Sequence, residues 1–419
     1  MWRSAGRWLA DHSMRVMYKF NMKTGALWAA GLFLFVAAGD ARAVPVTPTH
    51  DDEVVEVLPA AAGNRGEERQ LRKRLAATPD DAALALTVAR RYLDQAHETG
   101  DPRYAGLALA AIRAWPDARR APDDVLLMRA TLQQYLHEFD ASVASLRLLL
   151  ARPGGDRKPQ AWLTLATVLR VQGKYKDSDA ACQAVVDARS VLYGSACLAE
   201  NAALRGEVSK ARQSFEGLLA DPRTPTGSRG WLLTSLAELE ERDGRAAAAE
   251  AAYRSVLRLG PDSYARVAYA DFLIEQKRPL EAAKLLQGET RTDTVVLRLA
   301  IAEAQAQAIA GRTRAPAAAA SATGRDVAEM RDRIALANER PDARIFHGRE
   351  QAMFALWVEG SPERALALVR GEIVQQREPL DLLVFAQAAR ASGRADAIGE
   401  VRALKAAQGL HDRRIDALL

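Results

Sequence analysis

Cysteine and aromatic residues are scarce in this chain of 419 residues, which has two cysteines and 6% aromatic residues. Two cysteines without a paired motif give no basis for a cysteine-based zinc site. The chain is instead 49% hydrophobic and 26% charged, and much of its apolar content is alanine and leucine. A chain of this length and composition can bury a large core, and its few aromatics favour helices.

The apolar run near the start of the sequence is too short to span a membrane, because residues 26–39 supply only 14 positions where about 20 are needed. Basic residues precede the run and small residues end at Ala43, an order typical of a secretory signal peptide. We expect cleavage after Ala43, a periplasmic or secreted mature protein and no transmembrane anchor. The alternative is an uncleaved N-terminal anchor. Translation from Met14 or Met17 would give a signal peptide of ordinary length.

The mature chain also lacks an excess of basic charge. The whole sequence carries a formal charge of +5, but removal of residues 1–43 leaves 52 basic and 51 acidic residues. A surface that binds nucleic acid needs clustered lysine and arginine. We therefore expect no nucleic acid among the partners.

Motifs that carry enzyme chemistry are absent too, since the sequence has no nucleophile elbow and no dinucleotide glycine fingerprint. The pair Gly173-Lys174 is not a phosphate loop, because Val168 and Tyr175 replace the glycine and the hydroxyl residue of that motif. Gly173 is predicted to be a bend between two helices. We expect no catalytic residues, no metal site and no cofactor.

Two groups of residues keep a metal-handling or enzymatic alternative open. His347 and Glu350 have helical spacing and lie close to the unusual alanine-rich segment 311–324. His50 is followed by three acidic residues that are typical cation ligands. Two ligands without a third more often form a solvated pair, so this alternative stays secondary.

A pattern of small and large residues repeats through the middle of the chain. Gly173, Gly206 and Gly244 each follow an alanine by seven residues, and Lys277 continues the series after Ala270, with steps of 33, 38 and 33 residues. Small residues follow at the fifth position and large ones at the ninth: Ser178, Ala211, Ala249 and Ala282, then Cys182, Phe215, Tyr253 and Leu286. Small side chains let two helices approach and large ones fill the gaps, so each unit is predicted to be a helix hairpin that stacks on its neighbours.

The residues of one unit resemble the tetratricopeptide repeat (TPR) signature: Trp162, Leu165, Ala166, Leu169, Gly173 and Tyr175. Two later stretches resemble the second half of the signature. One contains Ala211 and Phe215, and the other contains Ala249, Tyr253 and Pro261. The match covers 157–288, and weaker units extend it in both directions. The resemblance implies an all-α, right-handed superhelical solenoid of about eight or nine antiparallel helix hairpins.

The predicted organisation has five parts: signal peptide 1–43, flexible leader 44–63, N-terminal array 64–310, alanine-rich loop 311–324 and C-terminal helical repeats 325–419. A domain boundary in the loop is the alternative. The 33-residue step from Gly360 to Gly393 favours one continuous array.

Because the inner helices of such a solenoid carry its partner contacts, residues that recur there are the candidate site. Two rows of residues that recur in successive units are predicted to bind a partner, together with one neighbouring arginine, Arg170. The first row is Thr167, Glu200, Glu238 and Asp271, and the second is Tyr193, Trp231 and Tyr264. We expect a protein or peptide ligand, and the acidic row favours a basic one. The alternative is that the acids are solvated and the aromatics pack at the starts of helices.

The expected function is that of a non-enzymatic, exported bacterial scaffold that assists assembly or maturation of an envelope protein. A structural subunit that binds only itself or an envelope complex is a further possibility.

The two cysteines lie on neighbouring predicted helices, and the turn near residues 189–190 is almost midway between them. Cys182 and Cys197 are therefore expected at equal height in an antiparallel pair, a separation compatible with a disulfide. Export would favour the bond. The alternative is two buried thiols.

Overall fold

The computed structural model describes residues 65–312, 324–339 and 348–419. The predicted signal peptide and leader, His50, His347 and residues 313–323 of the predicted loop lie outside the described residues. The chain divides into two compact units. Helix α1 (Arg65–Ala77) belongs to the unit that ends at Thr78, and the range Pro79–Leu419 belongs to the other unit.

Every regular element of the described residues is helical, and the described helices between Pro79 and Leu419 pack as nine hairpins. The hairpins are α2 (Ala82–Thr99) with α3 (Arg103–Ala111), α4 (Asp123–Tyr135) with α5 (Phe139–Leu150), α6 (Pro159–Val171) with α7 (Tyr175–Asp187), α8 (Val191–Leu204) with α9 (Val208–Ala220), α10 (Thr226–Arg242) with α11 (Ala246–Leu259), α12 (Ser263–Glu275) with α13 (Pro279–Leu286), α14 (Asp293–Arg312) with α15 (Arg325–Asn338), α16 (Gly348–Trp357) with α17 (Pro362–Glu372), and α18 (Pro379–Ala391) with α19 (Ala395–Gln408). A short helix, α20 (Arg413–Asp416), follows.

The turns within the hairpins are built on residues in the left-handed conformation. Gly173, Gly206 and Gly244 have φ of 74°, 84° and 76°, and Lys277 has φ of 61°. Glycine adopts this conformation without a steric cost, whereas Lys277 adopts it against its intrinsic preference. The prediction that Gly173 is a helix bend is confirmed.

The small residues of the repeat lie where two helices approach each other. Ala166, Ala237 and Ala270 are fully buried, and Ala199 is 3% exposed. Where serine replaces alanine, its hydroxyl finds a partner, since Ser178 Oγ donates to the carbonyl of Ala166 at 2.8 Å. The predicted register of small side chains is therefore confirmed, and the serine departs from the pattern without leaving a buried polar group unsatisfied.

Helices α7 and α8 are joined by a disulfide between Cys182 and Cys197, whose Cα atoms lie 5.6 Å apart. Arg189, in the turn between the two helices, has φ of 63°. Both cysteines are fully buried. The bonded alternative is thus the one that the structure contains.

Later hairpins reach back to the middle of the array. The backbone N–H of Arg377 donates to the carbonyl of Val171 at 2.8 Å, and that of His411 donates to the carbonyl of Leu204 at 2.7 Å. These bonds lie at the ends of α6 and α8. Residues far apart in sequence therefore surround the same space.

Candidate functional site

The first helices of the hairpins enclose a cavity of about 750 Å³. Helices α2, α4, α6, α8 and α10 contribute side chains along their length or near their ends, while α12, α14, α16 and α18 contribute residues at or just before their N-terminal ends. This volume lies within the range of about 300 to 1,000 Å³ that is usual for ligand sites. The cavity is accessible, so we take it as the candidate site.

Six of the eight predicted partner-binding residues line the cavity: Thr167, Arg170, Glu200, Trp231, Glu238 and Tyr264. They come from α6, α8, α10 and α12, because the repeat places equivalent positions of successive hairpins on one surface. The rows predicted from sequence therefore converge, although no ligand contact follows from that alone.

Glu200 is the centre of a hydrogen-bond network on one wall. One carboxylate oxygen accepts from Trp231 Nε1 and from Ser235 Oγ, each at 2.8 Å. The other lies 2.6 Å from Arg170 Nη1, and the side chains of Glu200 and Arg170 are only 14% and 20% exposed. This network fixes the orientation of the indole of Trp231.

Glu238 and Tyr264 form a second pair, since the Tyr264 hydroxyl donates to Glu238 Oε1 at 2.8 Å. Tyr264 is 62% exposed towards the open space of the cavity. Burial among the surrounding helices raises the pKa of Glu238, with further contributions in the same direction from Glu200 and Glu378. Arg242 and the tyrosine hydroxyl counter this effect on the Glu238 pKa. The position therefore favours an additional positive charge.

Tyr193 and Asp271 do not line the cavity. Tyr193 is 8% exposed, and its ring stacks on Trp231 with centroids 6.1 Å apart. Asp271 accepts two hydrogen bonds of 2.9 Å from Arg298, whose side chain is 5% exposed. Tyr193 thus supports the position of Trp231, and Asp271 joins α12 to α14.

The sequence interpretation missed other charged residues of the cavity lining. Arg242 follows Glu238 by one helical turn, so helical spacing could have found it. Arg349 and Glu378 come from α16 and the start of α18, and Arg349 Nη1 lies 2.9 Å from Glu378 Oε2. No local pattern identifies these two, because they reach the cavity only through the return of the later hairpins.

Acidic side chains outnumber basic ones in the cavity lining, with seven carboxylates and three arginines. Asp293 is paired with Arg333 from outside the lining, at 2.6 Å. The three lining arginines pair with Glu200, Glu238 and Glu378. Glu350 also lies 3.7 Å from Arg349, and Asp262 accepts a hydrogen bond from the backbone N–H of Ala265. Because carboxylates outnumber arginines in this concave lining, the space favours cations more than an open surface would.

Within the described residues, no helix is long and apolar enough to cross a membrane. No group of three or more histidine, cysteine, aspartate or glutamate side chains in the described part of the chain is arranged to hold a metal ion. Glu350 lies at the cavity, and its predicted companion His347 is outside the described residues.

Comparison of the chain with protein-family models gives no match, and comparison with curated proteins gives none either. Assignment of a function therefore depends on the geometry and electrostatics of the cavity.

Proposed function

We propose that this protein is an exported scaffold of the tetratricopeptide-repeat type that binds a basic protein or peptide segment in its central cavity. In this proposal the hairpins form a right-handed superhelix, and the bound segment belongs to an envelope protein whose assembly or maturation the scaffold assists. The repeat signature between residues 157 and 288 supports the family. The disulfide between Cys182 and Cys197 supports export, because such bonds persist in oxidising compartments.

The position of Glu238 among the other carboxylates of a concave lining is the observation that carries this proposal. The charge of Glu238 is opposed by two neighbouring carboxylates, Glu200 and Glu378, and is only partly compensated by Arg242 at 3.8 Å. A lysine or arginine of the ligand would supply the missing positive charge. Electrostatic complementarity of this kind accelerates association and selects against acidic partners.

Aromatic faces beside the carboxylates support the same class of ligand. Trp231 is held in place by Glu200 and by the ring of Tyr193. Tyr264 is exposed beside Glu238. A cationic side chain that contacts either ring would gain about 0.5 to 2 kcal/mol per contact, depending on its desolvation. The preformed hydrogen bonds reduce the cost of ordering the site on binding.

Fluorescence anisotropy with labelled hexa-arginine and hexa-glutamate peptides tests the proposal. We expect the wild-type chain to bind hexa-arginine, with an affinity that decreases as salt is added. Glu238→Gln keeps an acceptor for Tyr264 but removes the charge, and we expect it to weaken binding about tenfold, equivalent to 1.4 kcal/mol. Equal binding of the two peptides would contradict the proposal.

A matched control is available on the outer surface. Glu216 is an exposed acid on α9, and it lies outside the cavity lining. Glu216→Gln makes the same change in charge and should leave the affinity for hexa-arginine unchanged. Glu250 is a poorer control, because it accepts hydrogen bonds from Arg278 and Tyr269 and so contributes to packing. Equal losses in the Glu238 and Glu216 variants would mean that only net charge matters.

A further inference from the structure

The segment 408–416, which we call the strap, crosses the turns of three earlier hairpins in order. A Cβ atom built on each turn glycine would approach the strap as follows: Gly173 to Gln408 Cδ at 2.7 Å, Gly206 to His411 Cβ at 3.2 Å and Gly244 to Arg413 Cδ at 3.5 Å. Residues 410–412 lie outside any helix. Gln408 ends α19 and Arg413 begins α20, and between them Asp412 is extended, with φ of −154° and ψ of 110°.

The strap contacts the array as a ligand would, through backbone, apolar and charged groups. The backbone N–H of His411 donates to the carbonyl of Leu204 at the end of α8. Leu410 is 3% exposed and Ile415 is fully buried. The glycines at the hairpin turns allow this close approach, because a larger residue at Gly173 would collide with Gln408 unless that side chain moved.

Arg414 is the charged anchor of the strap. Its guanidinium is 21% exposed and pairs with Glu241 of α10, with Glu275 of α12 at 3.3 Å and with Asp412 of the strap at 2.7 Å. Glu241 also accepts a hydrogen bond of 2.9 Å from the Tyr253 hydroxyl. The array therefore supplies two carboxylates, one of them oriented by a phenol, to receive one arginine.

These receiving groups belong to α8, α10 and α12, and α10 packs directly against both of the other helices. Without Arg414, Glu241 and Glu275 would repel each other in a poorly solvated position. The surface would then favour another cation in the same place. Another segment that carried a backbone donor, two apolar side chains and an arginine in the same order could make the contacts named above.

We propose that the strap is an internal ligand of an arginine-binding surface formed by Leu204, Glu241 and Glu275, and that an extended, arginine-bearing partner segment displaces it. This inference extends the proposed function, since it assumes that the partner is a basic segment. It adds a second contact surface beside the cavity and makes the strap an autoinhibitory element. Displacing the strap costs free energy, so the intact chain has a lower affinity for the partner than the open surface has.

The test uses a labelled peptide with the sequence of residues 408–419 and the full-length chain. In Arg414→Glu, the strap carries an acid that is repelled by Glu241 and Glu275, and we expect this variant to bind the peptide at least about tenfold more tightly than wild type. Arg390→Glu makes the same charge change at an exposed position of α18 and should bind as wild type does. A peptide with Arg414→Ala should not bind, and adding Glu275→Gln to the Arg414→Glu chain should weaken binding.

Equal binding of the peptide by the Arg414→Glu chain and wild type would overturn the inference, provided that circular dichroism shows the variant folded. If that variant loses its helical spectrum, Arg414→Ala decides by the same comparison. Hydrogen exchange of the wild-type chain gives a second measurement. The amide of His411 should exchange faster than amides in the middle of α10, and equal protection would also overturn the inference. The effect of Glu238→Gln on hexa-arginine binding tests the cavity and not the strap, so the two proposals can fail separately.

Discussion

Replacement of Glu200 by alanine should destabilise the folded array by about 2 kcal/mol, because its carboxylate accepts two hydrogen bonds and pairs with an arginine. The substitution leaves Trp231 Nε1 and Ser235 Oγ without their acceptor and Arg170 without its carboxylate partner. Breaking a fully buried ion pair from one side costs about 3 to 5 kcal/mol. The side chains of Glu200 and Arg170 keep 14% and 20% exposure and face a cavity that admits water, so the cost should be at the lower side of that range or below it.

Urea unfolding followed by circular dichroism at neutral pH measures this effect. Glu200→Gln keeps an acceptor oxygen for the indole and should cost about half as much, since it loses only the charged part of the network. Glu216→Ala is the matched surface control and should change the unfolding free energy by less than about 0.5 kcal/mol. If Glu200→Ala were as stable as Glu216→Ala, the network would not be formed in solution.

Three other perturbations test the packing, the disulfide and a buried carboxylate. Ala237→Leu overpacks a fully buried contact and should cost about 1 to 3 kcal/mol in urea unfolding. Removing both Cys182 and Cys197 by alanine substitution opens a loop with a sequence separation of 15 and should cost about 3 kcal/mol in the chain-entropy model. Burial, followed by repulsion from Glu350, raises the pKa of Glu372 from 4.5 to about 7. The protonated Glu372 carboxyl therefore contributes fully to stability below about pH 4.5, and this contribution is lost as the pH rises through about 7. Glu372→Gln should gain stability relative to wild type between about pH 5 and pH 8.

Each of these expectations has a control or a contrary outcome. Ala237→Ser adds little volume and should be tolerated better than leucine, and equal melting of the two would mean that the helices are not closely packed there. Thiol labelling of unfolded, unreduced protein should find no free cysteine, and two labelled thiols per chain would contradict the bond. Glu363→Gln, at an exposed position of α17, should leave the pH dependence unchanged. The same pH profile in the Glu372 variant and wild type would refute the assignment of that titration.

The hairpins and their register could be predicted from sequence because the contacts that form them are local. Ser178 meets Ala166 across a separation of 12 residues, and the small alanines recur at steps that one hairpin fills. The same pattern placed Glu200 and Glu238 on one surface. Tyr193 and Asp271 were predicted to line the cavity but do not, because each side chain packs against or pairs with a neighbouring one instead. Trp231 covers the tyrosine, and Arg298 pairs with the aspartate.

The sequence by itself determined the helical class, the bend at Gly173 and six of the eight side chains expected on the inner surface. Only the tertiary structure decided that Arg349 and Glu378 close the cavity, and that Arg414 meets Glu241 across a separation of 173 residues. The reason is geometrical. A small rotation between neighbouring hairpins leaves little trace in any one repeat, but it accumulates along the array and determines which distant surfaces meet.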